Sequence, residues 1–213
     1  RGNKMTEISR IKCGTGNCYI VSNGNNAILI DTGSKENLNK VISECNKYDM
    51  KLIVLTHVHF DHAENAAVLS EKYNIPVAIN HLDEELFDSY DKQPLNSYGI
   101  IGKVILSLSI KKLENRKVEK PKNLIFVKDE DKLSEYGIDA KIIELAGHTK
   151  GSIGIDTGDG LIVGDALDNW ISPATGHLYN DFTEIKRTAE KIKSLGNRTL
   201  YYGHGKPTNN SFK

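Results

Sequence analysis

The chain is poor in features that would assign it quickly. Its 213 residues include only three cysteines, Cys13, Cys18 and Cys45, with no Cys-x-x-Cys spacing. An odd, sparse set excludes a disulfide framework and makes a thiolate zinc site a poor fit. Cys18 falls in an expected strand and Cys45 on the apolar face of an expected helix, so both read as buried thiols. Net charge is also lacking, since 28 Lys and Arg balance 28 Asp and Glu. That removes any global pull toward nucleic acid or anionic membrane. No apolar run approaches the roughly 18 residues of a membrane span. No signal peptide is legible, so the expected location is the cytoplasm. Residues 1–4, ahead of Met5, read as foreign to a natural start at Met5.

What is present fits a soluble globular chain. The length favours one domain with a sizeable core, residues 1–213, carrying a possible helical cap insertion at about 82–122. Segments 17–22 and 26–33 read as strands joined by the turn Asn23-Gly24-Asn25-Asn26, Asn-Gly being a hairpin signal. Ser34 is placed to cap a helix over 35–48, where Leu38, Val41, Ile42, Cys45 and Tyr48 keep a helical period. Strands are expected at 51–56 and 75–80, helices at 63–73 and 82–90. A second set of strands follows at 123–127, 138–146, 152–158 and 161–165. Asp181 with Glu184 opens a helix over 182–195 in the manner of a capping box, Gly196 stops it, and 199–203 is a last strand. Sheet packed on sheet with helices outside suits this order.

Residues 97–117 form a helix with two apolar stripes: Ile100, Ile101, Val104, Ile105 and Leu108, then Leu106, Ile110 and Leu113. A helix apolar on two sides needs more cover than a surface helix. Ordinary packing, a cap over a substrate pocket and an oligomer contact all satisfy that. The basic run 111–122 reads as the solvated end of a helix.

The chemistry is concentrated at strand ends. "THVHFDH" (56–62) holds His57, His59, Asp61 and His62 directly after an apolar strand. His148, Asp165, His204 and Asp31 each stand in the same position after other strands. If those strands share one edge, the side chains converge. Imidazole and carboxylate without thiolate suit zinc, iron or manganese. Seven candidates (His57, His59, Asp61, His62, His148, Asp165 and His204) are too many for one ion and about right for two ions sharing a carboxylate.

"LIDTG", "THVHFDH", "GHTKGS", "VGDAL" and "YGHG" resemble, in order, the five motifs of the metallo-β-lactamase superfamily, over about residues 17–207. The resemblance implies an α+β fold, a four-layer αββα sandwich with a binuclear site at one edge of its two sheets. It implies that His57, His59 and His148 bind one ion and Asp61, His62 and His204 the other. Asp165 would bridge them and Asp31 would orient the site from outside. Two divalent ions are expected, zinc first, with iron or manganese as alternatives.

Two such ions would acidify a water held between them, and the expected reaction is hydrolysis of an ester, thioester or lactone bond. Asp61 would bind metal and orient that water. The closest likeness is to glyoxalase II-like thioester hydrolases. This chain departs from them by ending nine residues after His204, where they carry a helical extension. Asp165 argues against a true β-lactamase, since one subclass has cysteine there and another lacks the bridging aspartate. Lactonases of the family carry a tyrosine shortly after the bridging aspartate, where this chain offers Trp170. The expected partner is a small molecule, not nucleic acid or membrane, with Lys206, His177 and Tyr179 as candidate substrate contacts. A ribonuclease Z-like phosphodiesterase and a mononuclear-iron persulfide-dioxygenase-type oxidoreductase are the alternative activities.

Overall fold

The computed structural model describes residues 6–210, and the side chains of all these except Ile101, Glu114 and Asn115. The expected start at Met5 and the place of Ile101 in its stripe lie outside what is described. Strands β1 (Glu7–Cys13), β2 (Gly16–Asn23) and β3 (Asn26–Ile30) form a meander. Then come α1 (Leu38–Cys45), β4 (Asp49–Val54), α2 (Phe60–Ala63), α3 (Ala66–Tyr73), β5 (Val77–Ile79), β6 (Asn96–Ser97), α4 (Gly99–Asn115) and β7 (Leu124–Phe126). The second half holds β8 (Lys141–Glu144), β9 (Ile153–Asp156), β10 (Gly160–Gly164), β11 (Leu167–Asp168), β12 (Ala174–Thr175), β13 (Leu178–Tyr179), α5 (Phe182–Ser194), β14 (Thr199–Tyr202) and β15 (Thr208–Asn209). One sheet has six strands in the order β1-β2-β3-β4-β5-β7, the other five in the order β15-β14-β10-β9-β8.

Period-two alternation assigns each strand residue to a layer. In β3, Ile28 turns toward the second sheet with Leu52 and Val54 of β4, meeting Ile142, Ile153, Ile155 and Ile162. Leu29 turns the other way, with Ile53, onto α1 and α3 through Val41, Cys45, Ala66 and Leu69. In β10, Leu161 and Val163 face α5, packing on Ala189 and Ile192. Both sheets thus bury both faces, giving the αββα sandwich. Each fully buried Ile or Leu contributes about 1.5–3 kcal/mol to holding these layers together.

Several boundaries differ from expectation. β1 was not expected, because "EISRIKC" is largely exposed and shows no apolar run. β3 stops at Ile30 because Asp31 adopts a left-handed φ of 58°. Ser34 does not cap α1. Its hydroxyl accepts from Asn37 Nδ2 at 3.0 Å, and the helix begins after a 3-10 turn at Lys35–Asn37. Residues 82–90 form 3-10 turns, His81–Phe87 and Tyr90–Lys92, in place of a helix. Asp181 does cap α5, accepting from Thr183 N and Glu184 N. Cys18 and Cys45 are buried.

Helix α4 is less covered than its two stripes imply. Ile100, Val104 and Leu108 are exposed, whereas Leu113 packs on the first core. Arg116, in the run expected to be solvated, pairs with Glu36 and with the buried Glu64. No helix among the described residues is long and apolar enough to cross a membrane.

Candidate metal centre

The five strands that precede ligand-type residues all point the same way. β3 and β4 are parallel, as are β10 and β14; β8 and β10 each run antiparallel to β9 and so share a direction. Their C-terminal ends form one edge of the sandwich. There the two sheets are tied by backbone bonds from Asn17 N to Gly203 O, 2.8 Å, and from Ile153 N to Thr56 O, 2.8 Å. Loops leaving a rigid edge can hold polar side chains at fixed separations.

Four imidazoles are oriented by their Nδ1 atoms. His62 Nδ1 donates to Asp31 Oδ2 at 2.8 Å, His148 Nδ1 to Leu178 O at 2.9 Å and His204 Nδ1 to Thr15 O at 3.0 Å. Thr56 donates its hydroxyl to Asp31 Oδ2 at 2.9 Å, so that hydroxyl accepts from His57 Nδ1 at 3.1 Å. These acceptors commit each Nδ1 as a donor, so that each ring, once neutral, offers its Nε2 lone pair to a metal ion. Asp31 is held in turn by Thr56 N on Oδ1 at 2.7 Å.

The Nε2 atoms gather around Asp165. Its Oδ1 lies 3.5 Å from His62 Nε2, and its Oδ2 lies 3.7 Å from His148 Nε2 and 3.4 Å from His204 Nε2. Asp61 Oδ2 lies 3.5 Å from His204 Nε2. Three groups result, each offering ligand atoms within 4.8 Å of one another: His57, His59 and His148; His57, His62 and Asp165; Asp61, His62 and His204.

The donor set fits metal ions. His57 Nε2, His62 Nε2, His59 Nε2 and Asp165 Oδ1 are buried without a hydrogen-bond partner. Leaving such atoms unpaired costs about 1–3 kcal/mol each. His59 Nδ1 and His148 Nε2 also face each other at 3.0 Å. A cation between them would replace a contact of two nitrogens by two coordinate bonds. Gly203 completes the fit, because a methyl there would run into Asp165 Oδ1 and approach His62 Cε1 to 2.8 Å.

The electrostatics separate the two ends of the cluster. Burial and neighbouring imidazoles hold His57 and His59 well below the usual histidine value, so they stay neutral. Burial also works to lower His62, but Asp165, Asp31 and Asp61 outweigh it and push it up to about 10. For His204 burial is likewise outweighed, by Asp165 and Asp61, and it rises to about 9. Burial works to raise Asp165, yet His204, His62 and His148 hold its carboxyl well below the usual range. This carboxylate-rich end attracts protons, and divalent cations by the same field.

The cluster opens into a cavity of about 620 Å³. One wall is α4, through Ile105, Leu108 and Leu113, with Phe60 and Trp170 also lining it. Trp170 stacks on His204 with ring centroids 4.7 Å apart. Of the three expected substrate contacts, His177 lines the cavity. Lys206 and Tyr179 do not. Lys206 is exposed, its backbone oxygen taken by Asn169 Nδ2, and Tyr179 packs against Tyr98 and Phe182.

Two contributors escaped sequence reading. Asp83 accepts from Thr149 Oγ1 and Gly151 N, both at 2.8 Å, and from Val58 N at 3.3 Å, so it joins the loops carrying His57, His59 and His148. Asp168 accepts from His177 Nδ1 at 2.6 Å. Neither aspartate follows a long apolar strand or stands in a cluster of histidines, the two signals that marked the others.

Comparison with known proteins agrees with this architecture. A probable metallo-hydrolase, MJ0888 of Methanocaldococcus jannaschii, is 29% identical over 202 residues, covering 89% of this chain and 87% of the relative. The di-iron-bound form of TTHA1623 superposes with a TM-score of 0.68 at 20% identity, covering 96% of this chain and 94% of that one. The B3 metallo-beta-lactamase BLEG-1 superposes with a TM-score of 0.70 at 18% identity, with the same coverage. At such identities these structures share the fold alone. The sequence profile of the metallo-beta-lactamase superfamily matches residues 11–204, a span that carries most of both sheets and the whole histidine–aspartate cluster, and the chain belongs to that superfamily.

Proposed function

We propose that the protein is a binuclear metal-dependent hydrolase acting on an acyl bond: ester, thioester or lactone. The observation that carries this reading is the pair of three-residue groups, His57/His59/His148 and Asp61/His62/His204, with Asp165 reaching imidazoles of both. His57, His59 and His148 would hold one ion, Asp61, His62 and His204 the other, and Asp165 both. When bound, two divalent ions supply Lewis acidity that acidifies water and polarises a carbonyl.

The chain's own residues do the rest. Asp31 fixes the His62 ring, and Thr56 fixes both Asp31 and His57. Asp61 keeps part of its carboxylate open to the cavity, at 27% exposure, where it can accept a hydrogen bond from the attacking water. Phe60, Trp170 and the α4 wall exclude bulk water from an apolar acyl group. The partner is therefore a small molecule. Zinc is the proposed metal, since an imidazole and carboxylate set suits it and no redox step is needed.

The test joins elemental analysis to a substrate screen. Expected are two metal ions per chain, hydrolysis of at least one ester, thioester or lactone, and loss of that activity in His59→Ala. A fully active His59→Ala, or one iron per chain with oxygen uptake on a persulfide, would overturn the reading.

A further inference from the structure

Beside the histidine–aspartate cluster, the same cavity holds an acid–imidazole pair that belongs to none of the three ligand groups. Asp168 is buried, and its Oδ2 accepts from His177 twice, from Nδ1 at 2.6 Å and from the backbone N at 2.9 Å. One face of the His177 ring lies on Tyr98, nearly parallel at 6°, with centroids 5.4 Å apart. Tyr98 is itself fixed, its hydroxyl donating to Thr175 O at 2.7 Å. The ring therefore has one orientation, with Nδ1 committed to Asp168.

Both members sit one residue from groups that hold the cluster. Leu178, next to His177, accepts the Nδ1 proton of His148. Asn169, next to Asp168, donates its backbone N to His204 O at 3.1 Å. The ring lines the cavity with His59, Asp61, His148, Asp165 and His204, and its side chain is 17% exposed. A purely packed histidine would be expected to satisfy both nitrogens. Here Nε2 has no protein partner among the described residues, and because the ring lines the cavity this nitrogen is open to water or to a ligand there.

We propose that His177 is the proton donor to the leaving group, that Asp168 is its positioning residue, and that the preferred substrates are esters or lactones that release an alcohol. This rests on the acyl-hydrolase reading above. Water's oxygen bonds to the acyl carbon, and the acyl C–O bond breaks. The departing oxygen keeps the bonding pair and takes the proton from imidazolium Nε2. The ring recovers a proton released from the consumed water, so no oxidant or reductant is needed. An alkoxide is comparable in basicity to hydroxide and leaves far more readily once it is protonated. A thiolate, with a parent pKa of about 8.5, leaves with little help. A held imidazolium is therefore of use to an alcohol leaving group and of little use to a thiol.

The test uses the zinc-loaded protein and one acyl group carried on an alkyl ester, an aryl ester of an acidic phenol, and a thioester. In His177→Gln, the alkyl-ester kcat should fall by about 10²-fold or more relative to the thioester kcat. Asp168→Asn should show the same leaving-group dependence, and Asp168→Glu should recover part of it. Metal content should match the wild type in all three variants, which separates the role from a disturbed cluster. An equal loss across the three leaving groups, or a loss of metal, overturns the proposal. If the wild type hydrolyses none of the acyl substrates, the acyl-hydrolase reading itself falls and the proposal falls with it.

Discussion

Asp83 carries no motif, yet it joins the two loops that present His57, His59 and His148. Its carboxylate sits so close to Gly151 that a methyl at that glycine would come within 2.7 Å of Oδ1. The site is fully buried, and burial pushes the Asp83 carboxyl up to about 6 against the hydrogen bonds from Thr149, Gly151 and Val58 that favour its charge. A group whose folded pKa is raised stabilises fully below its unfolded value, about 3.9, and loses that contribution as pH rises through the folded value. The wild type should thus lose about 3 kcal/mol of Asp83-linked stability over that window. In urea unfolding of the metal-free protein, the stability of the wild type minus that of Asp83→Asn should fall between about pH 4 and pH 7. A difference that stays flat would mean the carboxyl is ionised throughout. At this scale, residues were legible where one local signal sufficed. Asp31, His57, Asp165 and His204 follow apolar strands. Asp83 acts through Thr149 Oγ1, Gly151 N and Val58 N, Thr56 through the Asp31 carboxylate, and Asp168 through His177, pairings that no local pattern encodes.

Among the elements, α4 shows how a period can be right while its environment is not. The helix forms where its periodicity places it, Gly99–Asn115, but only one flank meets protein. Ile105 and Leu113 face the cavity, while Ile100 and Val104 face solvent. Two stripes in a sequence do not say whether each finds a core or a pocket. What fixes the C-terminal end of α4 is Arg116. Its Nη1 donates to Glu64 Oε2 at 3.0 Å, its guanidinium pairs with Glu36, and Cζ lies 5.1 Å over the Phe60 ring. One planar fork thus links α4, the turn before α1 and the α2 segment of the histidine motif. Lysine cannot reproduce that fork. Arg116→Ala should leave Glu64 buried and short of a partner, at a cost of about 1–3 kcal/mol. It should also raise KM for apolar acyl substrates through a looser cavity wall, while metal content stays at the wild-type level. Arg116→Lys should restore only part of both. An unchanged KM with lost metal would place Arg116 in support of the cluster and not of the wall.

In the whole molecule, the sandwich was legible because buried strands on both halves of the chain needed helices outside them. Strand order was not. The β3–β4 and β10–β14 pairs are parallel and non-local, and β1 and β15 are edge strands too polar or too short to announce themselves. The topology that resulted has a thermodynamic consequence. His57, His59, Asp61 and His62 extend from the first sheet, and His148, Asp165 and His204 from the second. Ions held by both sets would link the two sheets at one edge, and anything that binds only the folded state stabilises it by mass action. At metal about a thousandfold above its dissociation constant, that linkage contributes about 4 kcal/mol. For a chain of this length each kcal/mol is about 2–4 °C in Tm. Removing metal with a chelator should therefore lower Tm by about 10 °C. The loss should also be local. Without metal the carboxylates and imidazoles remain crowded at that edge, so hydrogen exchange should quicken first at Thr56–His62, Gly147–Thr149 and Gly203–His204. Amides of Ile28, Leu52 and Ile155, within the two-sheet core, should keep their protection. A chelated protein that has lost its metal but melts at the same temperature would show that the hydrogen bonds between the sheets hold this edge unaided.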